Sequence, residues 1–215
     1  MNIAIDGPAG AGKSTIAKLV AKRLGYVYVD TGAMYRAIAL YLINHDIDVN
    51  HEDKVKDACS EITVEIKYEN DIQNVYLNGE NVSSKIRQEQ VGNMASKAAA
   101  KKPVRDKLLS LQRDIAASAD VIMDGRDIGT FVLPDAELKI YLTASVETRA
   151  KRRYDELVLK GEHPDIEKIE EDIKQRDYQD MHRDIAPLTQ AEDAVYLDTS
   201  DMNIDEVVNF ICDRV

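Results

Sequence analysis

The sequence predicts an α/β fold in which helices flank a five-stranded parallel sheet. Five short apolar runs rich in β-branched residues lie along the chain, as expected of parallel strands covered on both faces. Helical patterns lie between these runs, and that alternation is typical of an open parallel sheet. A glycine-rich segment directly follows the first run and opens the first helical pattern. The predicted strands are residues 3–5, 26–29, 121–123, 138–142 and 195–197.

The helical patterns each place apolar residues on one face. The predicted helices span residues 13–24, 33–45, 103–117, 146–160, 165–184 and 203–213. The first helix is expected to pack through Ile16, Leu19, Val20 and Leu24. The second is expected to pack through Met34, Ile38, Tyr41 and Leu42. Spacings of three and four residues bring these side chains to one stripe of each helix.

Residues 60–85 interrupt the α/β alternation. Apolar and polar residues alternate from Ile62 to Tyr68, and a second alternating run passes through Val75 and Leu77. Glu69-Asn70-Asp71 separates the runs, and the second is followed by Asn78-Gly79, a strong hairpin-turn signal. Because this alternation indicates half-buried strands, it predicts a small antiparallel unit inserted into the α/β core.

Composition and charge limit the function classes. Asp and Glu number 39 and Lys and Arg 28, giving a formal net charge of −11. This argues against general nucleic-acid binding, which depends on neutralising phosphates. The two cysteines, Cys59 and Cys212, lack the spacing of a zinc site, and the N-terminal residues lack the features of a secretory leader. The apolar runs are too short to span a bilayer. We therefore expect a cytoplasmic protein with no nucleic-acid or membrane partner.

The glycine-rich segment indicates a nucleoside triphosphate site. Residues 7–14 fit the pattern G-x-x-x-x-G-K-[ST], between a strand and a helix as the motif requires. The glycines let backbone N–H groups converge on phosphate oxygens, and the helix N-terminus adds partial positive charge. Lys13 is predicted to reach the β- and γ-phosphates, and the Ser14 hydroxyl to ligate Mg²⁺. The pattern leaves the phosphate acceptor open.

The helix over 165–184 carries charged residues on a face that begins apolar. Ile166, Ile169 and Ile173 form the predicted inward stripe. The same stripe continues through Arg176, Asp180 and Arg183. Such a face either reaches a ligand or leaves the core and forms ion pairs on the surface.

Further arginines are predicted at the ligand edge of the sheet. Arg36 and Arg126 each follow the end of a predicted strand. In the helix over 146–160, Val146, Ala150, Tyr154 and Leu157 form the predicted buried stripe. Arg149, Arg152 and Arg153 are then expected to face away from it, either toward an anion or into solvent. Phosphoryl transfer between two polyanions needs such a set of cations.

In the order of its motifs, the chain resembles the nucleoside monophosphate kinases, and among them the bacterial cytidylate kinases. The resembling segments are IDGPAGAGKST (5–15), VDTGAMYRAIAL (29–40), NMASKAAAKKPVRDKL (93–108), DGRDIGTFVLPDAELKIYL (124–142), the arginine-rich 147–153 and QRDYQDMHRDIAPL (175–188). They cover nearly the whole chain in order. DTGAMYR and DGRDIGT together are distinctive, whereas the phosphate loop alone is not.

The resemblance implies a domain organisation and a reaction. A core P-loop domain would comprise residues 1–30 and 121–215, with a short lid at about 149–165. A monophosphate-binding domain would comprise residues 31–120, including the antiparallel insert at about 60–85. The reaction implied is transfer of the ATP γ-phosphate to CMP or dCMP, with Mg²⁺ as cofactor. For the oligomeric state we expect a monomer.

The resemblance also implies roles for single residues. The whole loop, Gly7, Pro8, Ala9, Gly10, Ala11, Gly12, Lys13, Ser14 and Thr15, would bind ATP together with Arg149 and Arg153 of the lid. Thr31 and Asp180 would hold the sugar hydroxyls, with Arg176 nearby. Arg36 and Arg126 would hold the acceptor phosphate, and Arg183 would stabilise the transferring group. Lys13, Arg126 and Arg183 are thus the expected catalytic residues, and Ser14 and Asp124 the expected metal ligands.

For the base, the resemblance implies Ser96, Arg105 and Asp127. Asp127 can accept a hydrogen bond from the amino group of cytosine, but would face a carbonyl oxygen in uracil. Asp127 could instead be a turn residue or pair with Arg126, and Ser96 could be an ordinary surface residue. Two other functions remain open: a kinase for UMP or a small metabolite, and a nucleotide-dependent switch without transfer.

Overall fold

The computed structural model describes residues 1–70 and 72–215, so Asp71 of the predicted insert turn lies outside the described residues. The strands are β1 (Asn2–Asp6), β2 (Val27–Asp30), β3 (Val64–Glu69), β4 (Ile72–Leu77), β5 (Glu80–Asn81), β6 (Val121–Gly125), β7 (Leu138–Thr143) and β8 (Val195–Asp198). The helices are α1 (Lys13–Leu24), α2 (Thr31–Asn44), α3 (Glu52–Glu61), α4 (Glu89–Ala98), α5 (Lys102–Ser118), α6 (Val146–Leu159), α7 (Ile166–His182) and α8 (Ile204–Cys212).

The chain divides into two compact units. Unit 1 comprises Met1–Tyr26 and Val121–Val215, and unit 2 comprises Val27–Asp120. The main sheet has the strand order β2-β6-β1-β7-β8, and its β1–β6, β1–β7 and β7–β8 ladders are parallel. This confirms the predicted five-stranded sheet.

The central strands of unit 1 are covered on both faces. Ile3, Ala4 and Ile5 of β1 are fully buried, as is the 121–123 run of β6. In register, Ile3 lies beside Ile122 on one side and Leu138 on the other. The carboxyl ends of β1 and β6 therefore lie side by side, and the loops that follow them share one edge of the sheet.

The helices of unit 1 follow the predicted pattern with two corrections. Helix α1 packs through Ile16, Ala17, Val20 and Ala21, whereas the predicted core residue Leu19 is 40% exposed. The buried stripe is rotated toward Ala17 and Ala21, which places Leu19 at the outer side of the helix. Ile166, predicted to face inward, is 36% exposed in the first turn of α7. Among the described residues, no helix is both long and apolar enough to cross a membrane.

Unit 2 contains the predicted antiparallel insert. Strand β3 pairs with β4, and β4 with β5, in a three-stranded antiparallel sheet. Asn78 and Gly79 connect β4 to β5 with positive φ angles of 48° and 82°, as a two-residue hairpin turn requires. Helix α2 starts two residues earlier than predicted, at Thr31. Helices α3 and α4 fall where no separate helix was predicted.

Candidate active site

The phosphate loop connects β1 to α1. A Cβ atom at Gly7 would lie 1.9 Å from the carbonyl oxygen of Leu142, so only glycine fits at this position. Gly12 caps α1 with a φ of 90°, a conformation that residues with a side chain rarely adopt. Gly12 provides no side chain to cap the first backbone N–H groups of α1. These groups are the donors with which a helix N-terminus binds anions.

Lys13 is held against the loop that precedes it. Its ammonium donates a hydrogen bond to the carbonyl oxygen of Pro8 at 2.7 Å, and the residue is 6% exposed. Burial lowers the pKa of Lys13 well below its usual value, and the nearby Arg126 lowers it further, while Asp124 and Asp6 oppose the shift. The folded protein thus disfavours this positive charge until an anion balances it.

Ser14 and Asp124 present oxygen atoms side by side. The Ser14 hydroxyl donates to Oδ2 of Asp124 at 2.7 Å. A hydroxyl and a carboxylate suit Mg²⁺, which takes few protein ligands and completes its shell with water and substrate phosphates. No group of three or more His, Cys, Asp or Glu residues is arranged to hold a metal in the described part of the chain. The observed pair thus fits a cation shared with a bound nucleotide.

The Asp6 carboxylate binds the backbone of the segment that follows β6. Its two carboxylate oxygens accept hydrogen bonds from the backbone N–H groups of Ile128 and Gly129, at 2.8 and 2.7 Å. Burial raises the pKa of Asp6 to about 6, although these two hydrogen bonds oppose the shift. Asp6 directly follows the predicted strand 3–5, and no role was assigned to it from the sequence. In the structure it fixes the turn that carries Arg126 and Asp127.

Two arginines expected to be catalytic pair with carboxylates. Arg126 Nε donates to Asp180 Oδ2 at 2.8 Å, with side chains 20% and 8% exposed. Arg183 Nη2 donates to Asp127 Oδ1 at 3.0 Å, with both side chains 6% exposed. Burial alone would raise the pKa of Asp180, but Arg126 brings it below its usual value. The polar face of α7 therefore meets the turn after β6 instead of forming surface ion pairs.

Asp127 forms an ion pair with an arginine, as one alternative from the sequence proposed, but the partner is Arg183 and not Arg126. An ion pair with its neighbour Arg126 was the expected alternative to base recognition. The carboxylate instead lies against Arg183, 56 residues away. Arg126 turns to Asp180, 54 residues away. Sequence spacing alone could not distinguish these pairings.

Arg149 does not face away from the buried stripe, so that prediction was wrong. The residue is 4% exposed and forms an ion pair with Asp177 Oδ2 at 2.7 Å. Its guanidinium also donates to the carbonyl oxygens of Ala144 and Ala9, both at 2.9 Å. Asp177 in turn accepts from the Ala9 N–H at 3.4 Å. These hydrogen bonds offset the burial of the Arg149 charge, and the Arg149–Asp177 pair binds both backbone groups of Ala9 in the phosphate loop.

Arg152 and Arg153 of α6 have different surroundings. Arg152 donates to the carbonyl oxygens of Ala11, at 3.4 Å, and Thr199, at 2.8 Å. Arg153 forms an exposed pair with Glu156 on its own helix at 2.9 Å. Arg152 therefore supports the outer side of the phosphate loop, whereas Arg153 has the exposure predicted for it.

Unit 2 carries the other predicted site residues. Thr31 is 3% exposed in the first turn of α2, and Arg36 is half-buried in its second turn. Arg105, 3% exposed on α5, donates to the carbonyl oxygen of Ala99 at 3.2 Å. Its guanidinium carbon lies 5.8 Å from the ring centroid of Tyr35. The buried Ser96 Oγ has no hydrogen-bond partner among the described residues, so it is not an ordinary surface hydroxyl.

Sequence reasoning missed Asp177 as a site residue. It lies four residues beyond Ile173, on the stripe where an apolar residue was due. A carboxylate at a core position of a helix was the available signal. For Asp6 the sequence offers no signal beyond its place after the first predicted strand, where aspartate is a common turn residue.

Comparisons with known proteins agree with the motifs. A family model described as cytidylate kinase matches residues 3–215. A cytidylate kinase of Lactobacillus gasseri is 52% identical over 208 residues, covering 97% of this chain and 90% of that protein. One from Caldicellulosiruptor saccharolyticus is 53% identical over 208 residues, covering 97% and 92%. A crystal structure of an uncharacterized protein from Eubacterium ventriosum shares the fold alone, with a TM-score of 0.53 and 12% identity over 99% of this chain and 96% of that one.

Proposed function

The chain belongs to the cytidylate kinase family, and we propose that it transfers the γ-phosphate of ATP to CMP or dCMP, giving ADP and CDP or dCDP. The observation that carries this proposal is a second set of buried cations near the phosphate loop. Arg126 is close enough to Lys13 to lower its pKa, and Arg183 pairs with the residue next to Arg126. A nucleotide switch needs no such second anion site. The family match also favours CMP over UMP or a small metabolite as acceptor.

The phosphate loop would hold ATP. We propose that residues 7–15 bind its phosphates through backbone N–H groups, and that Lys13 exchanges the Pro8 carbonyl for phosphate oxygens. Ser14 and Asp124 would hold Mg²⁺, which neutralises charge on the phosphates when it is bound. The exposed Arg153 can close over ATP in the lid. Arg149, in contrast, contacts the loop backbone in this structure, so we propose that it supports the ATP site from behind the loop.

The buried arginines would hold the second phosphate. We propose that Arg126 and Arg36 bind the phosphate of the acceptor, and that Arg183 stabilises the group in transfer. Thr31 and Asp180 would bind the sugar hydroxyls, with Arg176 nearby. Arg126 and Arg183 are already oriented by Asp180 and Asp127, which reduces the reorganisation needed at the moment of transfer.

The base would be recognised by Ser96, Arg105 and Asp127. Asp127 would accept from the cytosine amino group, and Arg105 would donate to the ring nitrogen and the carbonyl oxygen. The buried Ser96 Oγ supports this proposal, since a buried hydroxyl without a partner gains from a polar ligand. Uracil would set a carbonyl oxygen against the Asp127 carboxylate. That mismatch costs about 1–3 kcal/mol, which lowers turnover with UMP by about 5- to 150-fold.

The transfer itself needs no covalent intermediate. An oxygen of the CMP phosphate attacks the γ-phosphorus in line, and the bond to the β-phosphate oxygen breaks as ADP leaves. The residues of this chain contribute by positioning the two nucleotides and by matching the charge that develops between them. A lid that excludes water would prevent simple hydrolysis of ATP.

We propose that unit 2 is the monophosphate-binding domain and that unit 1 is the core domain, with its lid at about residues 149–165. The monomeric state and the cytoplasmic location remain predictions. The free thiols Cys59 and Cys212 are compatible with a reducing compartment.

A coupled assay of ADP release tests the proposal. With ATP and Mg²⁺, the acceptors CMP, dCMP, UMP, AMP and GMP are compared at one concentration, with an acceptor-free control. The proposal predicts rapid turnover with CMP and dCMP and slow turnover with UMP. Turnover with none of the five, by folded protein that binds ATP, would overturn it.

A further inference from the structure

The edge of β2 is covered by two side chains from the antiparallel insert. Strand β2 lies at the end of the strand order of the main sheet, so no strand of the described residues pairs with its outer backbone groups. The hydroxyl of Tyr68, on β3, donates to the carbonyl oxygen of Tyr28 at 3.0 Å. Gln73, on β4, binds Asp30, two residues further along β2. Backbone groups of alternate residues point to the same edge of a strand, so both side chains serve one edge.

Gln73 binds both backbone groups of Asp30. Its Oε1 accepts from the Asp30 N–H at 2.8 Å, and its Nε2 donates to the Asp30 carbonyl oxygen at 3.2 Å. The amide thus makes the pair of contacts that a residue of a sixth strand would make. Tyr68 and Gln73 are also direct partners in the β3–β4 ladder, so each holds the other's backbone in place.

Asp30 sets the start of α2. Its Oδ1 accepts from the Ala33 N–H at 2.9 Å, which makes it the N-cap of the helix. A Cβ atom at Gly32 would lie 3.2 Å from that same oxygen, so the turn is close around the cap. Thr31 follows directly, and Arg36 lies five residues further on. Any shift of Asp30 would therefore move both of these side chains.

We propose that Gln73 is a positioning residue for the acceptor nucleotide. By fixing Asp30 it orients Thr31 and Arg36, so the insert determines how well the acceptor binds. This inference rests on the proposed function, because it takes these two residues as part of the acceptor site. Gln73 itself need not contact the nucleotide, since both ends of its amide are engaged with Asp30.

The test replaces the amide with a side chain of the same length. Gln73→Met removes both contacts to Asp30, and we expect the KM for CMP to rise roughly 5- to 30-fold, as the loss of two neutral hydrogen bonds predicts. The KM for ATP should stay within about twofold. The matched control is Gln90→Met, the same change in unit 2 at a residue whose side-chain amide donates to Gln88. That control should leave both KM values unchanged.

Two further variants separate positioning from loss of stability. Gln73→Glu keeps an oxygen for the Asp30 N–H but sets a carboxylate against the Asp30 carbonyl, so the KM for CMP should rise at least as much as in Q73M. Tyr68→Phe removes only the contact to Tyr28 and should raise it by less than Q73M does. If Q73M does not fold, Q73E provides the same test, because it also disrupts the contact to the Asp30 carbonyl oxygen.

The outcomes separate a failure of the proposed role of Gln73 from a failure of the proposed CMP phosphorylation. If the wild-type protein does not phosphorylate CMP, both fail. If it does, and Q73M leaves the KM for CMP unchanged, only the inference fails. A parallel rise of the KM values for CMP and ATP, or a lower thermal midpoint with an unchanged KM for CMP, would also overturn it.

Discussion

Unit 1 contains two kinds of ion pair. Those at the ligand edge of the sheet are buried, whereas those on the outer face of α6 are exposed to solvent. Arg126–Asp180, Arg183–Asp127 and Arg149–Asp177 are buried, with side chains between 5% and 20% exposed. Lys151–Asp155 and Lys160–Glu156 each join residues one helical turn apart, on α6 and its C-cap. All four of these side chains are at least half exposed. Exposed pairs contribute little, because water screens them and ordering two long side chains costs entropy.

The buried pairs, in turn, contribute little net stability compared with apolar side chains of similar size. Removing two charges from water costs several kcal/mol, and an apolar pair of similar size is often as stable. The cost of burying an arginine is offset by function where its guanidinium must be held in a fixed position. Arg126 and Arg183 lie where an anion is expected, and Arg149 fixes the phosphate loop. We therefore expect changes at the ligand edge to affect activity or folding strongly, and changes on the outer faces to have little effect.

Lys13 should separate activity from stability most clearly. Lys13→Met should lower kcat by about 10³-fold, because it removes the cation that we propose binds the transferred phosphate. The urea midpoint should be equal or higher, since the lowered pKa of Lys13 means that the fold disfavours its charge. Steady-state kinetics and urea unfolding check the two expectations. A fall in stability that parallels the loss of activity would contradict the comparison.

Asp177→Ala should have the largest effect on folding. It leaves the Arg149 guanidinium buried without its carboxylate, at a cost of about 3–5 kcal/mol in the free energy of unfolding. Equilibrium urea unfolding measures this. The double variant R149M/D177L removes both charges and should recover part of the loss. An unchanged midpoint for D177A would show that the pair does not hold the phosphate loop.

Asp6 predicts a pH dependence. Its pKa is raised to about 6, so the folded protein holds a proton that the unfolded chain releases near 3.8. This raised pKa makes the wild type relatively less stable as the pH rises through that interval. Compared with Asp6→Asn, the wild type should gain up to about 3 kcal/mol between pH 7 and pH 4. Urea unfolding of both proteins across this range measures the difference. A difference that does not change with pH would contradict the raised pKa.

Lys151→Ala should have the smallest effect. It removes an exposed pair on α6 and should change the free energy of unfolding by less than about 0.5 kcal/mol. Thermal unfolding and the CMP assay check this. A loss comparable to that of D177A would show that exposed and buried pairs are not distinct in this protein.

Much of the fold follows from local sequence signals. The phosphate loop, the five strands and the bounds of α1 could be predicted because a glycine-rich motif, apolar runs and a helical stripe mark them within a few residues. Leu19 and Ile166 were wrongly predicted to be buried, because an apolar pattern does not show where the buried face of a helix begins and ends. Helices α3 and α4 lie beside the insert, where alternating and helical patterns meet.

The ion pairs and hydrogen bonds between the site residues could not be predicted from such local signals. Arg126 and Arg183 were recognised as candidates, but their partners lie 54 and 56 residues away. Arg149 was expected to face outward because the apolar residues of its helix define a buried stripe on another face. Its burial depends on contacts with Asp177 and with the carbonyl oxygens of Ala144 and Ala9, which that pattern does not show. Gln73 had no sequence signal, since its role depends on the edge of β2.

A crystal structure with ADP, Mg²⁺ and CMP bound would show whether the buried arginines hold the acceptor phosphate. We expect the Arg126 guanidinium to donate a hydrogen bond to the CMP phosphate, and Lys13 to have exchanged the Pro8 carbonyl for phosphate oxygens. A structure in which CMP binds with no phosphate oxygen within hydrogen-bond distance of Arg126, Arg183 or Arg36 would contradict this expectation.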